Sequence, residues 1–255
     1  MRFASLGSGS GGNALLIESG STRVLLDCGF GLAEVTARLS RLGVEPEGLD
    51  AIIVTHEHED HGGGVPRLAA RYDLPVYLTH GTFAMLGAER RSVPNAILID
   101  TVTPFTIGAI EVRPYPVPHD AREPVQFVLS DGAARLGVLT DTGRCTPRIA
   151  QALSGVDALV LECNHDLDML MSGPYPASLK NRVAGRMGHL ANAAAAELLQ
   201  AVDCSRLQHL IAAHLSETNN VPHLARAALA GALNCDQEWI GVATQDEGFA
   251  WREIL

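Results

Sequence analysis

Six consecutive residues with titratable side chains, HEHEDH at 56–61, directly follow the apolar segment AIIVT. Such side chains are costly to bury charged and unpaired, so the run is either a solvated acidic loop or a site for positive charge. In an extended segment, residues two apart point to the same side, so His56 and His58 can bind one cation. Asp60 and His61, where the chain turns at HGGG, can face a second cation. Because histidines rarely cluster in an H-x-H-x-D-H pattern, the run favours a metal site.

Three later segments each end a predicted strand with a residue that can bind a metal. These residues are His119 after YPVP, Asp141 after GVLT and His214 after LIAA. Imidazole and carboxylate ligands without thiolate suit zinc, and also manganese or iron. The sequence therefore predicts two divalent metal ions, Zn²⁺ or Mn²⁺ with iron as a further option, at one sheet edge. The predicted ligands are His56, His58, Asp60, His61, His119, Asp141 and His214.

The elements that must position these ligands form two strand-rich portions. Short apolar runs predict strands throughout, with hairpins at 14–29 and at VQFVLS-DG-AARLGVLT, where Asp-Gly forms the turn. Apolar residues at helical spacing and segment lengths between the strands predict helices. The predicted helices cover 31–42, 65–72, 80–88, 146–153, 165–171, 176–186, 191–201 and 222–232. Two strand-rich portions flanked by helices indicate an α/β sandwich of two sheets, formed by one domain over residues 1–255.

Composition and charge restrict the class of protein. The chain is 47% hydrophobic, which allows a large core, and no stretch reaches the ~18 uninterrupted apolar residues of a membrane helix. The N-terminal segment becomes glycine-rich too early for a signal peptide. Five scattered cysteines without a C-x-x-C pair indicate reduced thiols and a cytoplasmic protein. A net charge of −10 counts against a nucleic-acid partner, although two divalent cations and local arginines could offset it.

The order T-H-x-H-x-D-H, then His, Asp and His, resembles the metallo-β-lactamase superfamily over nearly the whole chain. The resemblance implies a four-layer αβ/βα sandwich, in which two mixed sheets are flanked by helices and the metals lie at the sheet edge. It further implies that Asp141 bridges two metals. One metal would be held by His56, His58 and His119, and the other by Asp60, His61 and His214.

Further segments resemble one branch of that superfamily. Antibiotic-hydrolysing members have cysteine where Asp141 stands, flavodiiron oxidoreductases have glutamate in place of His58, and the 73 residues from Asp141 to His214 cannot house a β-CASP insertion. The segments GSGSGGN, HDAREP, LVLECNHDLDMLMSGPYPASLKNRVAGRMGHLAN and AHLSETNN closely resemble the YycJ (WalJ) family, whose members are regarded as DNA exonucleases acting from the 5′ end. Ala191 and Gln126 depart from that family's usual serine and glycine, which affects substrate contacts rather than the metals.

A shorter pattern resembles ribonuclease Z, in which a glutamate pairs with the histidine that protonates the leaving oxygen. Matched by motif, these residues are Glu162 and His189, and Asp60 would orient the attacking water. Basic residues before His189 suit phosphate binding, although a solvated helix face explains them equally well. Asn220 reads as a helix N-cap, with anion binding at the helix terminus as the second interpretation. The candidate phosphate contacts are Lys180, Arg182, Arg186 and Asn220.

The sequence therefore predicts a dinuclear metal-dependent hydrolase of phosphodiester bonds, with nucleic acid, most reasonably DNA, as substrate and no membrane partner. Two bound cations can lower the pKa of water to about 7. A thioesterase or lactonase could use the same metals on a carbonyl group and would fit the acidic charge better. A non-catalytic metal-binding domain is the third reading.

The segment GSGSGGN at 7–13 is glycine-rich but does not fit a nucleotide-binding loop, because a strand rather than a helix follows it. We expect a flexible hairpin loop that borders the cleft.

Overall fold

The computed structural model of the protein describes residues 1–86, 93 and 95–255. These residues contain fourteen strands and nine α-helices. The strands are β1 (Arg2–Gly7), β2 (Ala14–Ser19), β3 (Thr22–Leu26), β4 (Ala51–Ile53), β5 (Val76–Thr79), β6 (Ala96–Ile99), β7 (Phe105–Ile107), β8 (Ile110–Pro116), β9 (Val125–Ser130), β10 (Arg135–Leu139), β11 (Ala158–Glu162), β12 (His209–Ala213), β13 (Gly241–Val242) and β14 (Phe249–Glu253). The helices are α1 (Leu32–Arg41), α2 (Glu59–Gly62), α3 (Val65–Tyr72), α4 (His80–Met85), α5 (Pro147–Leu153), α6 (Leu167–Ser172), α7 (Ala177–Val183), α8 (Asn192–Ala201) and α9 (Pro222–Leu233).

The strands form two mixed sheets, each with seven strands in the described part of the chain. The first sheet has the order β14-β1-β2-β3-β4-β5-β6, and the second has the order β13-β12-β11-β10-β9-β8-β7. Strands β3 to β6 are parallel to one another, as are β10 to β13. Each sheet therefore has a set of parallel strands whose carboxyl ends share one edge.

Three hydrophobic clusters define the layers. Alternate residues of a strand face opposite sides, and this separates the clusters along each strand. In β3, Val24 packs between the sheets, whereas Leu25 packs against the helices of the first half. In β11, Val160 packs between the sheets and Leu161 packs against α5, α8 and α9. Helix, sheet, sheet and helix thus form four layers, which confirms the predicted αβ/βα sandwich.

Several boundaries differ from the predictions. Strand β1 was not predicted, because RFASLG combines polar and apolar residues, yet all but the first of its residues are buried between β2 and β14. Helix α7 ends at Val183 rather than at 186, so a turn separates it from His189. The predicted helix at 80–88 is α4 up to Met85, and its last two residues lie outside the described part. Among the described residues, no helix is both long and apolar enough to cross a membrane.

Candidate metal centre

The carboxyl ends of the parallel strands bring the predicted ligands to one edge of the sandwich. In the first sheet, Asp27 follows β3 and His56 lies three residues after β4. In the second sheet, Asp141 lies two residues after β10, Glu162 is the last residue of β11, and His214 directly follows β12. Since parallel neighbouring strands end at the same edge, these side chains meet although they are far apart in sequence.

The remaining ligands come from the connections at this edge. Strand β8 is antiparallel to β9, which is antiparallel to β10, so β8 ends at the same edge and delivers His119. The run at 56–61 leaves β4 in an irregular segment and then forms the short helix α2. The chain therefore turns within α2, at Asp60 and His61 themselves, rather than at the glycines that follow them.

The structure places the ligand atoms in overlapping groups, with the atoms of each group within 4.8 Å of one another. His56, His58 and His119 form what we call the first group, and Asp60, His61 and His214 form the second group. Asp141 lies with His56 and His61, which belong to different groups. Asp141 also lies with Glu162, His189 and His214, so its carboxylate is close to members of both groups.

In the first group, neutral partners fix which ring nitrogen faces the centre. Nδ1 of His56 lies 2.9 Å from Oγ1 of Thr55, whose hydroxyl donates to Asp27 and so accepts from the imidazole. Nδ1 of His119 lies 3.0 Å from the carbonyl oxygen of Gly188, which can only accept. Both histidines therefore carry the proton on Nδ1 and direct the lone pair of Nε2 toward the centre.

In the second group, carboxylates rather than neutral groups contact the ring nitrogens. Nδ1 of His61 lies 2.8 Å from a carboxylate oxygen of Asp27, and Nε2 lies 2.8 Å from Oδ2 of Asp141. Nε2 of His214 lies 3.4 Å from Oδ2 of Asp60. Three carboxylates thus surround two buried imidazoles.

The unpartnered atoms fit metal ions. Nε2 of His56 and Oδ2 of Asp141 are buried and have no hydrogen-bond partner among the described residues. His61 donates from Nδ1 to Asp27, and its Nε2 lies 2.8 Å from Oδ2 of Asp141, so a proton or a metal ion must lie between these two acceptors. Buried polar atoms normally have partners. The His and Asp cluster therefore has the donor chemistry and the unsatisfied atoms of a site for divalent metal ions.

The pKa of His56 in the first group and those of His61 and His214 in the second group shift in opposite directions, because the carboxylates act most strongly on the second group. Burial and the charge of neighbouring His61 hold the pKa of His56 well below its usual value. Burial would also lower the pKa of His61, but the carboxylates of Asp141 and Asp27 raise it well above the usual value. Despite burial, Asp141, Asp60 and Glu162 raise the pKa of His214 to about 9. The field of the carboxylates thus favours positive charge at the second group.

Three residues at this edge have left-handed backbone conformations. Asp27, Asp141 and His214 have φ angles of 61°, 50° and 54°. Non-glycine residues pay roughly 1–3 kcal/mol for such conformations, which therefore concentrate at functional sites. At each position the chain leaves the strand direction abruptly, while the side chain stays at the sheet edge.

Glu162 and His189 form a hydrogen-bonded pair beside the ligands. Nδ1 of His189 lies 2.8 Å from Oε1 of Glu162 and 3.2 Å from Oδ1 of Asp141. The other oxygen of the fully buried Glu162 accepts a hydrogen bond from the backbone N–H of Thr142. Although burial opposes it, these carboxylates raise the pKa of His189 to about 11. His189 is 24% exposed and lines the open cleft, so its Nε2 is the nitrogen free to meet a substrate.

The cleft above the ligands has a volume of about 340 Å³. Arg182 lines it and donates from Nε to Asp120 at 2.7 Å. Lys180 instead donates to the carbonyl oxygen of Met171, and Arg186 is exposed on the turn before His189. The cleft is lined by Ser10, His58, Glu59, Asp60, Asp141, Arg182, His189 and His214.

Asn220 lies apart from this cleft. It is 4% exposed, and its amide is used up in a reciprocal pair with Asn192 and in a bond to the carbonyl oxygen of Cys163. The N-cap of α9 is Val221, with Pro222 in the first turn. Neither the predicted capping role nor a phosphate contact fits this buried position.

Residues that the sequence reasoning missed support the ligands from behind. Asp27 accepts from His61 and from Thr55. Ser8 accepts from the backbone N–H of His214, and the amide of Asn164 donates to the carbonyl oxygen of His214. A signal for Asp27 was present, because it directly follows an apolar strand in the same way as His214 does.

Comparisons with known proteins show the family of the chain. The family model "Beta-lactamase superfamily domain" matches residues 22–214. The chain is 34% identical to "Exodeoxyribonuclease YycJ" of Bacillus anthracis over 235 residues, which is 91% of this chain and 89% of the relative. It is 32% identical to "Exodeoxyribonuclease WalJ" of Streptococcus pneumoniae over 247 residues, which is 94% and 91% of the two chains.

Among solved structures, the metallo-beta-lactamase fold protein YhfI from Bacillus subtilis matches with a TM-score of 0.74 and 20% identity over 99% of each chain. That likeness concerns the fold. The family model and the two relatives show the family as well as the fold. The chain belongs to the metallo-β-lactamase superfamily, within the family of the YycJ and WalJ proteins.

Proposed function

We propose that this protein is a metal-dependent nuclease that hydrolyses phosphodiester bonds and acts as an exonuclease on DNA. The observation that carries the proposal is the Glu162–His189 pair in the ligand-lined cleft. An alkoxide leaving from a phosphodiester needs a proton, whereas a thiolate can leave without one. A positioned acid therefore favours a nuclease over a thioesterase.

Two divalent ions, zinc or manganese, are the proposed cofactors. The first group would hold one ion, the second group the other, and Asp141 would contact both. When bound, the ions would supply Lewis acidity that activates water and neutralises charge on the phosphate. Five imidazoles and two carboxylates without a thiolate support this choice of metals.

The chain's own residues would align and protonate the reacting atoms. Asp60, which is 23% exposed at the floor of the cleft, would accept a hydrogen bond from the attacking water and orient it. His189 would donate the proton on Nε2 to the leaving oxygen, while Glu162 holds Nδ1. Proton donation by a positioned side chain contributes about 10²–10⁴-fold in rate.

Arg182 is the phosphate contact that the cleft supports best, since its guanidinium lines the cleft and is held by Asp120. Lys180 and Arg186 would contribute from the flank. DNA rather than RNA is proposed because both relatives reported above are named exodeoxyribonucleases. A cytoplasmic location is proposed on the five unpaired cysteines, and residues 1–255 are proposed to form one domain without a β-CASP insertion.

A panel of substrates tests the proposal. Metal-loaded protein should digest 5′-labelled duplex DNA progressively from an end and cleave bis-p-nitrophenyl phosphate, but leave S-lactoylglutathione intact. Cleavage of the thioester without cleavage of either phosphodiester would refute it, and faster digestion of RNA than of DNA of the same sequence would reassign the substrate.

A single variant tests the acid. His189→Ala should lower the rate on DNA by about 10²–10⁴-fold but spare bis-p-nitrophenyl phosphate, because nitrophenolate leaves without a proton. His223→Ala on α9 is the matched control. Equal loss on both substrates with unchanged metal content would show that His189 is not the proton donor.

A further inference from the structure

The glycine-rich loop between β1 and β2 is held far more tightly than a flexible hairpin. Within it, the amide of Asn13 accepts from the backbone N–H of Gly9 and donates to the carbonyl oxygen of Gly9, both at 2.9 Å. The backbone N–H of Gly12 donates to the same carbonyl oxygen at 3.1 Å. Gly9 and Gly12 have φ angles of 148° and 147°, which side chains rarely permit. The expectation of a flexible loop was therefore wrong.

The loop is also tied to the second group. The backbone N–H of Asn13 donates to the carbonyl oxygen of Asp60 at 2.8 Å, and its amide nitrogen lies 3.1 Å from Nε2 of His61. The hydroxyl of Ser8 accepts from the backbone N–H of His214 at 2.9 Å. All three residues of the second group are thus connected to this loop.

A distant side chain holds the tip. Gln245, between β13 and β14, accepts from the backbone N–H of Gly11 at 2.7 Å and donates to the carbonyl oxygen of Gly12 at 2.9 Å. Its backbone is in turn bonded to Arg38 of α1. The tip of the loop is therefore fixed relative to the sheet edge.

Ser10 is the residue that this scaffold presents. It is exposed, it lines the cleft with Asp60 and His214, and its hydroxyl has no hydrogen-bond partner in the described part of the chain. Its neighbours Gly9 and Gly11 carry no side chain that would keep a bulky ligand away. Two residues are enough to connect neighbouring antiparallel strands. A longer loop with its own hydrogen bonds therefore does more than connect β1 to β2.

We propose that Ser10 is a substrate-binding residue whose hydroxyl donates a hydrogen bond to a phosphodiester oxygen of the nucleic acid. The inference rests on the proposed function. The phosphate it contacts lies beside the second group, whereas Arg182, bonded to Asp120 next to His119, serves the side of the first group. The two residues would hold neighbouring phosphates on either side of the scissile bond.

Paired variants test this role. Ser10→Ala removes the donor, and Ser10→Asp places a negative charge where the phosphate should bind. Ser205→Ala and Ser205→Asp are matched controls, because Ser205 is exposed before the start of β12, at the opposite edge of the sheet. Binding of a short fluorescent oligodeoxynucleotide with phosphorothioate linkages is measured by anisotropy, and metal content by elemental analysis.

We expect Ser10→Ala to raise Kd and KM by about 10- to 100-fold, as loss of a hydrogen bond to a charged group does, with kcat and metal content unchanged. Ser10→Asp should weaken binding further, and the Ser205 variants should bind like the unaltered protein. Should the aspartate variant lose metal, the alanine variant alone decides. Binding by Ser10→Ala within twofold of Ser205→Ala overturns the proposal.

Gln245→Ala provides an independent check, since it frees the loop tip without touching the cleft. It should raise KM in the same direction as Ser10→Ala, and adding it to Ser10→Ala should have little further effect. If unaltered protein cleaves no phosphodiester, the proposed function fails; if it does and these variants behave like the controls, only the role of Ser10 fails.

Discussion

The two groups lie at one edge of the sandwich, with Asp141 close to members of both, yet they are built on different electrostatics. The first group consists of three imidazoles, two of which are oriented by a hydroxyl and a backbone carbonyl. The second group is surrounded by the carboxylates of Asp27, Asp60 and Asp141. Without a cation, burial lowers the pKa values of His56 and His119 in the first group, whereas the carboxylates around the second group raise the pKa values of His61 and His214. The second group therefore depends on positive charge more strongly than the first.

Replacing Asp141 by alanine should break both groups at once and have the largest effect. The carboxylate is 2% exposed and lies among ligands of both groups. We expect the loss of at least one metal per chain and a fall in activity larger than the roughly 10- to 100-fold that loss of an outer partner costs. Elemental analysis and DNA digestion measure both, with the exposed Asp203→Ala as control. Retention of two metals per chain would refute the bridging position.

Replacing Asp27 by asparagine should affect metal binding at the second group more than at the first. An asparagine side chain has one acceptor oxygen where Asp27 has two and carries no charge, so the support of Nδ1 of His61 is weakened, and metal affinity at the second group should fall by about 10- to 100-fold. Asp27 is connected to the first group indirectly, through the hydroxyl and the backbone N–H of Thr55, so this group should change less. Calorimetric titration of metal-free protein measures the two affinities.

Thr55→Val is the matched variant for the first group. It removes the acceptor of His56 but leaves the contact between Asp27 and His61 in place, so the smaller loss should fall on the first group. If both variants lowered the metal affinities of the two groups equally, the electrostatic difference between the groups would be refuted.

A change of pH should have the smallest effect of these tests, and it should alter the metal affinities of the two groups differently. The raised pKa values of His61 and of His214, the latter to about 9, mean that metal must displace protons from the second group at neutral pH. Its apparent affinity should therefore rise with pH up to about pH 9. The pKa values of His56 and His119 are lowered, so neither of these imidazoles of the first group has to lose a proton to metal above pH 7. Parallel pH dependences of the two affinities would contradict this.

Much of this architecture was predictable because its signals are local. Short apolar runs mark most strands, and a polar residue after such a run marks His119, Asp141 and His214. In a layered α/β fold, the carboxyl ends of parallel strands meet, so the order along the chain was enough to predict one shared edge.

What could not be predicted depends on contacts distant in sequence. Strand β1 becomes an inner strand of the sheet because β14, the last strand, pairs with its free edge. Asp27 gains its role because β3 lies beside β4 in the sheet. Gln245 holds a loop more than 230 residues away, and Asn220 faces Asn192 rather than solvent. Neither composition nor periodicity carries such pairings.

The ligands come from both halves of the sandwich, and this has a consequence for the mechanical integrity of the protein. His56, His58, Asp60 and His61 extend from the first sheet, and His119, Asp141 and His214 from the second. Bound cations would therefore act as cross-links between the sheets in a chain whose cysteines are all unpaired. Chelators should then make the rim of the sandwich more accessible to proteases, in addition to stopping hydrolysis.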